Sequence, residues 1–300
     1  MARRRAKQTA MPREARALLV LVLAAVAVTG WYLKHHRQSP PTPTPAPTVA
    51  ADSVRIATWN LKHFALRPGL QLATVASIIN DGGFDIVAIQ EVKKEGEAVD
   101  RLLNTLGPPW RGTSFSPMTG NYERFVFIYR GDRVVETMKP RFVQDQEAGV
   151  FDRTPYLAGF RCGNFDFLLL SVHLSYTDVA RRQAEARALA RIATRLVASS
   201  TEKDLIVVGD FNEEKRRNFL SDFDAMRWSR LIGQGTNLSG RETYDNILID
   251  PTLTREYSRN SGVVKFDETR FDNDDKAAAE QVSDHRPAWA DFATDQPDDD

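Results

Sequence analysis

Apolar positions along this chain of 300 residues come in short blocks with two different periods. Val54-Arg55-Ile56-Ala57-Thr58-Trp59 alternates, which predicts a strand. Across 69–80, Leu70, Leu72, Val75, Ile78 and Ile79 recur at helical spacing until Asp81-Gly82-Gly83 stops the helix. Phe84 to Ile89 is an apolar strand broken only by Asp85, and 97–106 reads as a second helix before Gly107-Pro108-Pro109. Phe125 to Tyr129 is a further strand. Tyr156 to Arg161 and Phe165 to Val172 form a pair around a Cys-Gly-Asn turn. Residues 178–198 predict a long helix whose inward face carries Leu189, Ile192 and Leu196. Strands at Leu205 to Val208, Asn246 to Ile249 and Pro287 to Phe292 complete the set.

Most of these strands are continuous apolar runs, the pattern of sheets covered on both faces. Mixed with helices and hairpins, they predict an α/β protein of two mixed β-sheets packed face to face with helices outside. No Gly-x-Gly-x-x-Gly follows the first strand and no Gly-Lys-Ser/Thr loop occurs, which excludes the common nucleotide-binding motifs. A hydrophobic content of 42% is enough for a large core. The lone Cys162 excludes an intramolecular disulfide.

The net charge of zero hides a division. Residues 1–50 hold eight Lys or Arg and one acid, so +7, and the other 250 hold 32 bases and 39 acids, so −7. No global basic field draws in nucleic acid, so a polyanion site must be local. A basic tail (1–16) precedes an uncharged apolar run (17–33) that ends near Trp31-Tyr32. As a helix, the run rises about 26 Å, close to a hydrocarbon core. It is expected to anchor the chain in a membrane, with the tail cytoplasmic and the remainder extracytoplasmic. A cleaved signal segment, which would secrete the chain, is the rival. Residues 34–51 are a proline-rich spacer, 52–292 the folded domain and 293–300 an acidic tail expected to be disordered.

The chemistry gathers at strand ends. Asn60 closes the first strand, Gln90-Glu91 the second and His173 a later one. Gly209-Asp210-Phe211-Asn212 closes another, Tyr244-Asp245 opens a strand and Ser283-Asp284-His285 precedes the last. Carboxylates and amides on one rigid rim suit an oxygen-ligated Mg²⁺, Mn²⁺ or Ca²⁺. Glu91 is the leading ligand candidate, with Asn60, Asp210, Asn212 and Asp284 able to add oxygens. His173 and His285 suit proton transfer near neutrality. Each needs an acceptor on its second nitrogen. Glu123 is the candidate partner for His173 and Asp245 for His285.

As an ordered set, Trp59-Asn60-Leu61, Gln90-Glu91, Glu123, His173, Gly209-Asp210-Phe211-Asn212, Tyr244-Asp245 and Ser283-Asp284-His285 resemble the endonuclease/exonuclease/phosphatase superfamily over roughly 52–292. They look most like its deoxyribonuclease I branch. The resemblance implies a four-layer α/β sandwich and metal-dependent hydrolysis of a phosphate ester. It implies Glu91 as the divalent-metal carboxylate, with Asn60, Asp210 and Asp284 in metal or phosphate positioning. It pairs His285 with Asp245 and His173 with Glu123. It places Arg153 and Asn212 on a substrate phosphate, where Arg124 and Tyr244 are further candidates. The partner so implied is DNA, cut internally with little sequence preference. Lys215-Arg216-Arg217 is an additional candidate for phosphate contact. Two rival readings are a phosphatase or phosphodiesterase acting on lipid or nucleotide phosphate, and a nonenzymatic nucleic-acid-binding module.

Overall fold

The computed structural model describes residues 52–297. Twelve strands form two six-stranded mixed sheets. The first sheet contains β1 (Ser53–Phe64), β2 (Ile86–Val92), β3 (Trp110–Gly112), β4 (Arg124–Arg130), β11 (Tyr257–Val263) and β12 (Ala288–Ala293), in the order β11-β12-β1-β2-β4-β3. The second contains β5 (Val134–Phe142), β6 (Tyr156–Cys162), β7 (Phe165–His173), β8 (Leu205–Asp210), β9 (Ser229–Arg230) and β10 (Asp245–Ile249), in the order β5-β6-β7-β8-β10-β9. Each sheet has a parallel pair at its centre, β1 with β2 and β7 with β8, and antiparallel neighbours around it.

Strand alternation sorts the apolar side chains into layers. Between the sheets lie Val54, Ile56, Ile86, Ala88, Phe125, Phe127, Tyr156, Phe160, Phe167, Leu169, Ile206, Val208 and Ile247, all buried. The opposite face of the first sheet, with Trp59, Val87, Ile89, Val126 and Ile128, packs against α1 (Leu72–Asp81) and α2 (Glu97–Leu106). The outer face of the second, with Leu168, Leu170, Val172 and Val207, packs against α3 (Val179–Ser199) and α4 (Ser221–Ala225). Two short helices, α5 (Phe266–Arg270) and α6 (Asp275–Gln281), complete the first outer layer. This is the expected α/β sandwich.

The strands that the apolar pattern did not predict are edge or polar ones. After buried Val134, β5 alternates exposed with half-buried positions and contains Pro140, while β11 fully buries only Gly262. An edge strand buries one face at most, so it carries no apolar run. At the C-terminal end β12 stops at Ala293, and Thr294 is still buried, its N–H donating to the Asp52 carbonyl at 2.7 Å.

The expected basic tail, membrane anchor and proline-rich spacer at 1–51 lie outside the described residues. Among the described residues no helix is long and apolar enough to cross a membrane. The longest, α3 with 21 residues, carries Arg181, Arg182, Glu185, Arg187, Arg191 and Arg195, charges that are costly in lipid. Nothing among the described residues supports the expected transmembrane signal-anchor, membrane partner or membrane-bound location, all of which rested on 17–33. None of the three is retained.

Candidate active site

The site is built by the same alternation that builds the core. Along β1 the side chains facing the other sheet are Val54, Ile56, Thr58 and then Asn60. Along β7 the inward series ends Phe167, Leu169, Ser171, His173, and along β8 it ends Ile206, Val208, Asp210. On β4 and β10 it begins with Glu123, just before Phe125, and Asp245, two residues before Ile247. One end of the inter-sheet layer therefore changes from apolar to polar in register. Asn60 is the register partner of Gln90, and both His173 and Asp245 are register partners of Asp210. Gly209 lets β8 come close: a Cβ there would sit 2.0 Å from the Val172 carbonyl oxygen, and its φ of +145° suits glycine.

Asn60 ties the sheets together. Its Nδ2 donates to Asp210 Oδ2 at 2.9 Å and to Glu91 Oε1 at 3.0 Å. Its Oδ1 accepts from the Lys62 N–H at 2.9 Å, so the amide nitrogen faces the two carboxylates. Gln90 lies deeper and donates to Ser171 Oγ at 3.0 Å, a second cross-sheet link.

Two histidine–carboxylate pairs meet at Asp210. His285 Nδ1 is 2.8 Å from Asp245 Oδ2, and His173 Nδ1 is 3.1 Å from Glu123 Oε2, the latter contact bent away from a straight hydrogen bond. The Nε2 atoms of His173 and His285 lie 3.6 and 3.8 Å from the same oxygen, Asp210 Oδ2. Two buttressed imidazoles thus present their second nitrogens to one place. The supporting backbone is fixed: Trp59 Nε1 donates to the His285 carbonyl at 2.8 Å, and Ser283 Oγ donates to the Asn60 carbonyl at 2.7 Å.

The two carboxylates differ electrostatically. Glu123 is buried, which alone would raise its pKa. Hydrogen bonding and charge from His173 and Arg153 outweigh this and hold it far below the usual carboxylate range. Its Oε1 also accepts from Lys93 Nζ at 3.0 Å and Asn121 Nδ2 at 2.8 Å, so its charge is shared widely. Asp245 is fully buried, its pKa is raised by that burial, and its Oδ1 has no hydrogen-bond partner. His285 is the partner of its charge. Burial opposes a proton on His285, but Asp245, Asp210 and Asp284 prevail and push its pKa up to about 10.

Glu123, His173, Asp210 and His285 line a cleft of about 1060 Å³ together with Glu91, Asn121, Arg153, Tyr176, Asn212, Tyr244 and Asp284. Arg153 donates through Nε to Glu123 at 2.5 Å, and among the described residues its terminal nitrogens make no hydrogen bond. Asn212, at φ +48°, donates through Nδ2 to the Leu174 carbonyl. The Tyr244 ring lies 5.8 Å from that of His285, and burial raises its phenol pKa. Asp284 faces the cleft and pairs with Lys62 Nζ at 2.5 Å. Arg124 is elsewhere: its guanidinium holds the carbonyls of Lys94 and Ser116 and the Glu95 carboxylate, outside the cleft lining. Lys215, Arg216 and Arg217 do not line this cleft either, and Arg217 is paired with Glu214.

The donor chemistry of the cleft bears on metal binding. Glu91, at a left-handed φ of +61°, turns its carboxylate toward the cleft beside Asp210, with Asp284 on the same rim. His63, Glu91 and Glu123 form one group with ligand-competent atoms close together, and Asp210, Asp245 and His285 form another. An oxygen-rich set with imidazole nearby fits a divalent cation. Glu123 is a poor ligand, because two cations, Lys93 and Arg153, already hold its oxygens.

Several residues here escaped the sequence reading. Lys93 and Asn121 come from loops about thirty and two residues from Glu123, with no pattern to mark them. Glu185 and Arg182 had a signal: both sit on the buried face of α3, among Ala186, Leu189 and Ile192. Glu185 accepts the N–H groups of Asp152 at 2.8 Å and Ser175 at 2.6 Å, clamping the loops that follow β7 and carry Arg153. Arg182 holds the Asn212 carbonyl at 2.9 Å.

Comparison with known proteins bears on family and fold. The model of the Endonuclease/Exonuclease/phosphatase family matches residues 57–285. A protein named deoxyribonuclease from Thioalkalivibrio sp. (strain K90mix) is 30% identical over 268 residues, covering 82% of this chain and 73% of that one. The endonuclease/exonuclease/phosphatase family domain-containing protein 1 of Xenopus laevis is 23% identical over 283 residues, and the alignment takes in 81% of this chain but 50% of that protein. Among solved structures, truncated Caenorhabditis elegans TDP2 superposes with a TM-score of 0.58 at 15% identity, covering 80% of this chain and 97% of that one, a likeness of fold.

Proposed function

We propose, from the premise that this chain belongs to the endonuclease/exonuclease/phosphatase family, that it hydrolyses DNA phosphodiester bonds endonucleolytically with Mg²⁺ or Mn²⁺. It is a metal-dependent enzyme of the phosphodiesterase type, and the DNA substrate is the proposed refinement. The observation that carries the reading is the convergence of two buttressed histidines on Asp210 Oδ2, at 3.6 and 3.8 Å. A hydrolysis that must both deprotonate water and protonate a leaving oxygen needs two such groups. The relative at 30% identity is named a deoxyribonuclease, which favours DNA.

Glu91, with Asp210 and Asp284 beside it, would hold the cation. When bound, it supplies positive charge to a nonbridging phosphate oxygen and offsets the acids around His285. His285 takes the proton of the attacking water. Asp245 suits that role because, among the described residues, no Lys or Arg pairs with it: it strengthens the imidazole as an acceptor and stabilises the imidazolium that forms. His173 gives its proton to the leaving 3′ oxygen. Glu123 suits this because its charge is divided among Arg153, Lys93 and Asn121, so it orients the ring without gripping the proton. The free Arg153 nitrogens and Asn212 meet the phosphate as charge builds on it.

The test is incubation of the full-length protein with supercoiled plasmid and, separately, with a small phosphomonoester, each with Mg²⁺ or Mn²⁺. Nicked plasmid that disappears with chelator supports the reading. Rapid phosphate release from the monoester with plasmid left intact would overturn the DNA assignment while keeping the hydrolase.

A further inference from the structure

Three histidines lie among the described residues, and His63 is the one that neither pair employs. Its ring is 60% exposed on the cleft wall, so burial does not explain where it points. The backbone does. The β1–β2 register breaks between Asn60 and Phe64, and Lys62 and His63 there take φ of +36° and +50°. Facing them, the β2–β4 register shifts between Ile89 and Val92, and Glu91 takes φ of +61°. Non-glycine residues in this region are strained by roughly 1 kcal/mol or more each, and bulges re-aim side chains. Two facing irregularities aim His63 and Glu91 at each other.

The result is a matched pair of donor atoms. His63 Nδ1 lies 3.0 Å from Glu91 Oε2. Adjacent ligand atoms on an octahedral cation with bonds of about 2.1 Å are roughly 3.0 Å apart. Glu91 is meanwhile held still: Asn60 Nδ2 donates to Oε1 at 3.0 Å and the His63 N–H to Oε2 at 2.7 Å. The neighbouring cation, Lys62, is neutralised by Asp284.

We propose that His63 ligates the divalent cation through Nδ1 beside Glu91, and thereby favours Mn²⁺ over Mg²⁺. The proposal rests on the reading of Glu91 as the metal carboxylate. Mg²⁺ prefers oxygen donors and keeps its waters, whereas affinity for an imidazole nitrogen rises along the first-row divalent series. The bland alternative is that the His63 ring only hydrogen-bonds to Glu91 and orients it.

Mn²⁺ is itself the probe. Binding to the full-length protein is measured by electron paramagnetic resonance of free Mn²⁺, and ligation by electron spin-echo modulation from a coordinated imidazole ¹⁴N. Wild type should show that modulation, and His63→Gln should lose it. The same variant should weaken Mn²⁺ binding about tenfold or more, with a smaller loss for Mg²⁺. Because the ring is exposed, the substitution leaves the fold intact, which circular dichroism checks. Modulation that persists in His63→Gln, or is absent from wild type carrying one Mn²⁺, would overturn the proposal. Glu91→Gln separates the two levels. Its failure to bind Mn²⁺ upholds the metal reading whatever His63 does, whereas unchanged binding would overturn that reading and this proposal together.

Discussion

Replacing Glu123 by Gln changes one oxygen to an amide nitrogen at the most heavily committed carboxylate of the site. Glu123 is 2% exposed; its two oxygens accept from Lys93, Asn121 and Arg153, and Oε2 lies 3.1 Å from His173 Nδ1. All four partners present donors. Whichever way the new amide turns, its NH₂ must face two of them. Breaking a buried ion pair from one side costs about 3–5 kcal/mol. For a domain of this size that lowers Tm by roughly 6–20 °C. The second consequence is kinetic: His173 loses the acceptor that orients its ring, and Arg153 loses its anchor. Loss of a positioned proton donor lowers kcat about 10²–10⁴-fold, or ~3–5 kcal/mol of barrier. The assay is initial-rate nicking of supercoiled plasmid at saturating metal, run well below the Tm that circular dichroism gives for the variant. Glu123→Asp, which keeps the charge but retracts it, should fall between. A Gln variant that loses stability yet keeps kcat within threefold would refute the reasoning: Glu123 would then be a structural ion pair that His173 does not need.

Other outcomes follow from the same geometry. Glu185→Gln weakens the clamp on the Asp152 and Ser175 N–H groups, so KM for DNA should rise several-fold through the displaced Arg153 with a smaller change in kcat, measured by steady-state nicking. Arg124→Ala should cost about 1–2 kcal/mol of stability in urea titration and leave kcat/KM within roughly threefold, because its partners lie outside the cleft. In metal-free protein the His285 pKa is raised from 6.5 to about 10. A raised folded-state value means stability that is full below 6.5 and lost as pH rises toward about 10. Tm should therefore fall across that window, and His285→Asn should flatten the fall.

The central strands and the rim positions of the paired residues were legible because both follow from local pattern, whereas the pairing itself came from the family resemblance. A covered strand is an apolar run, and a polar residue that continues its inward alternation must sit at the rim of the same layer. Glu123 before Phe125 and Asp210 after Val208 are such cases. Helix limits were equally accessible, with α2 found at 97–106 as expected. The remainder depends on contacts distant in sequence. Lys93 reaches Glu123 across thirty residues, and Glu185 reaches back thirty-three residues to Asp152. Arg124 misled because charge alone does not reveal direction: it alternates with Phe125 and so faces away from the layer that holds Glu123. His63 was overlooked because strand alternation stops at the bulge that aims it. The edge strands β5 and β11 bury too little to leave an apolar run.

The central claim is that His285, backed by Asp245, moves a proton in metal-dependent cleavage of DNA. The most direct measurement is nicking of supercoiled plasmid by full-length His285→Ala beside wild type, with Mg²⁺ or Mn²⁺ and with chelator. The account predicts chelator-sensitive nicking by wild type and a loss of about 10²–10⁴-fold in the folded variant. A variant that nicks at the wild-type rate would contradict it.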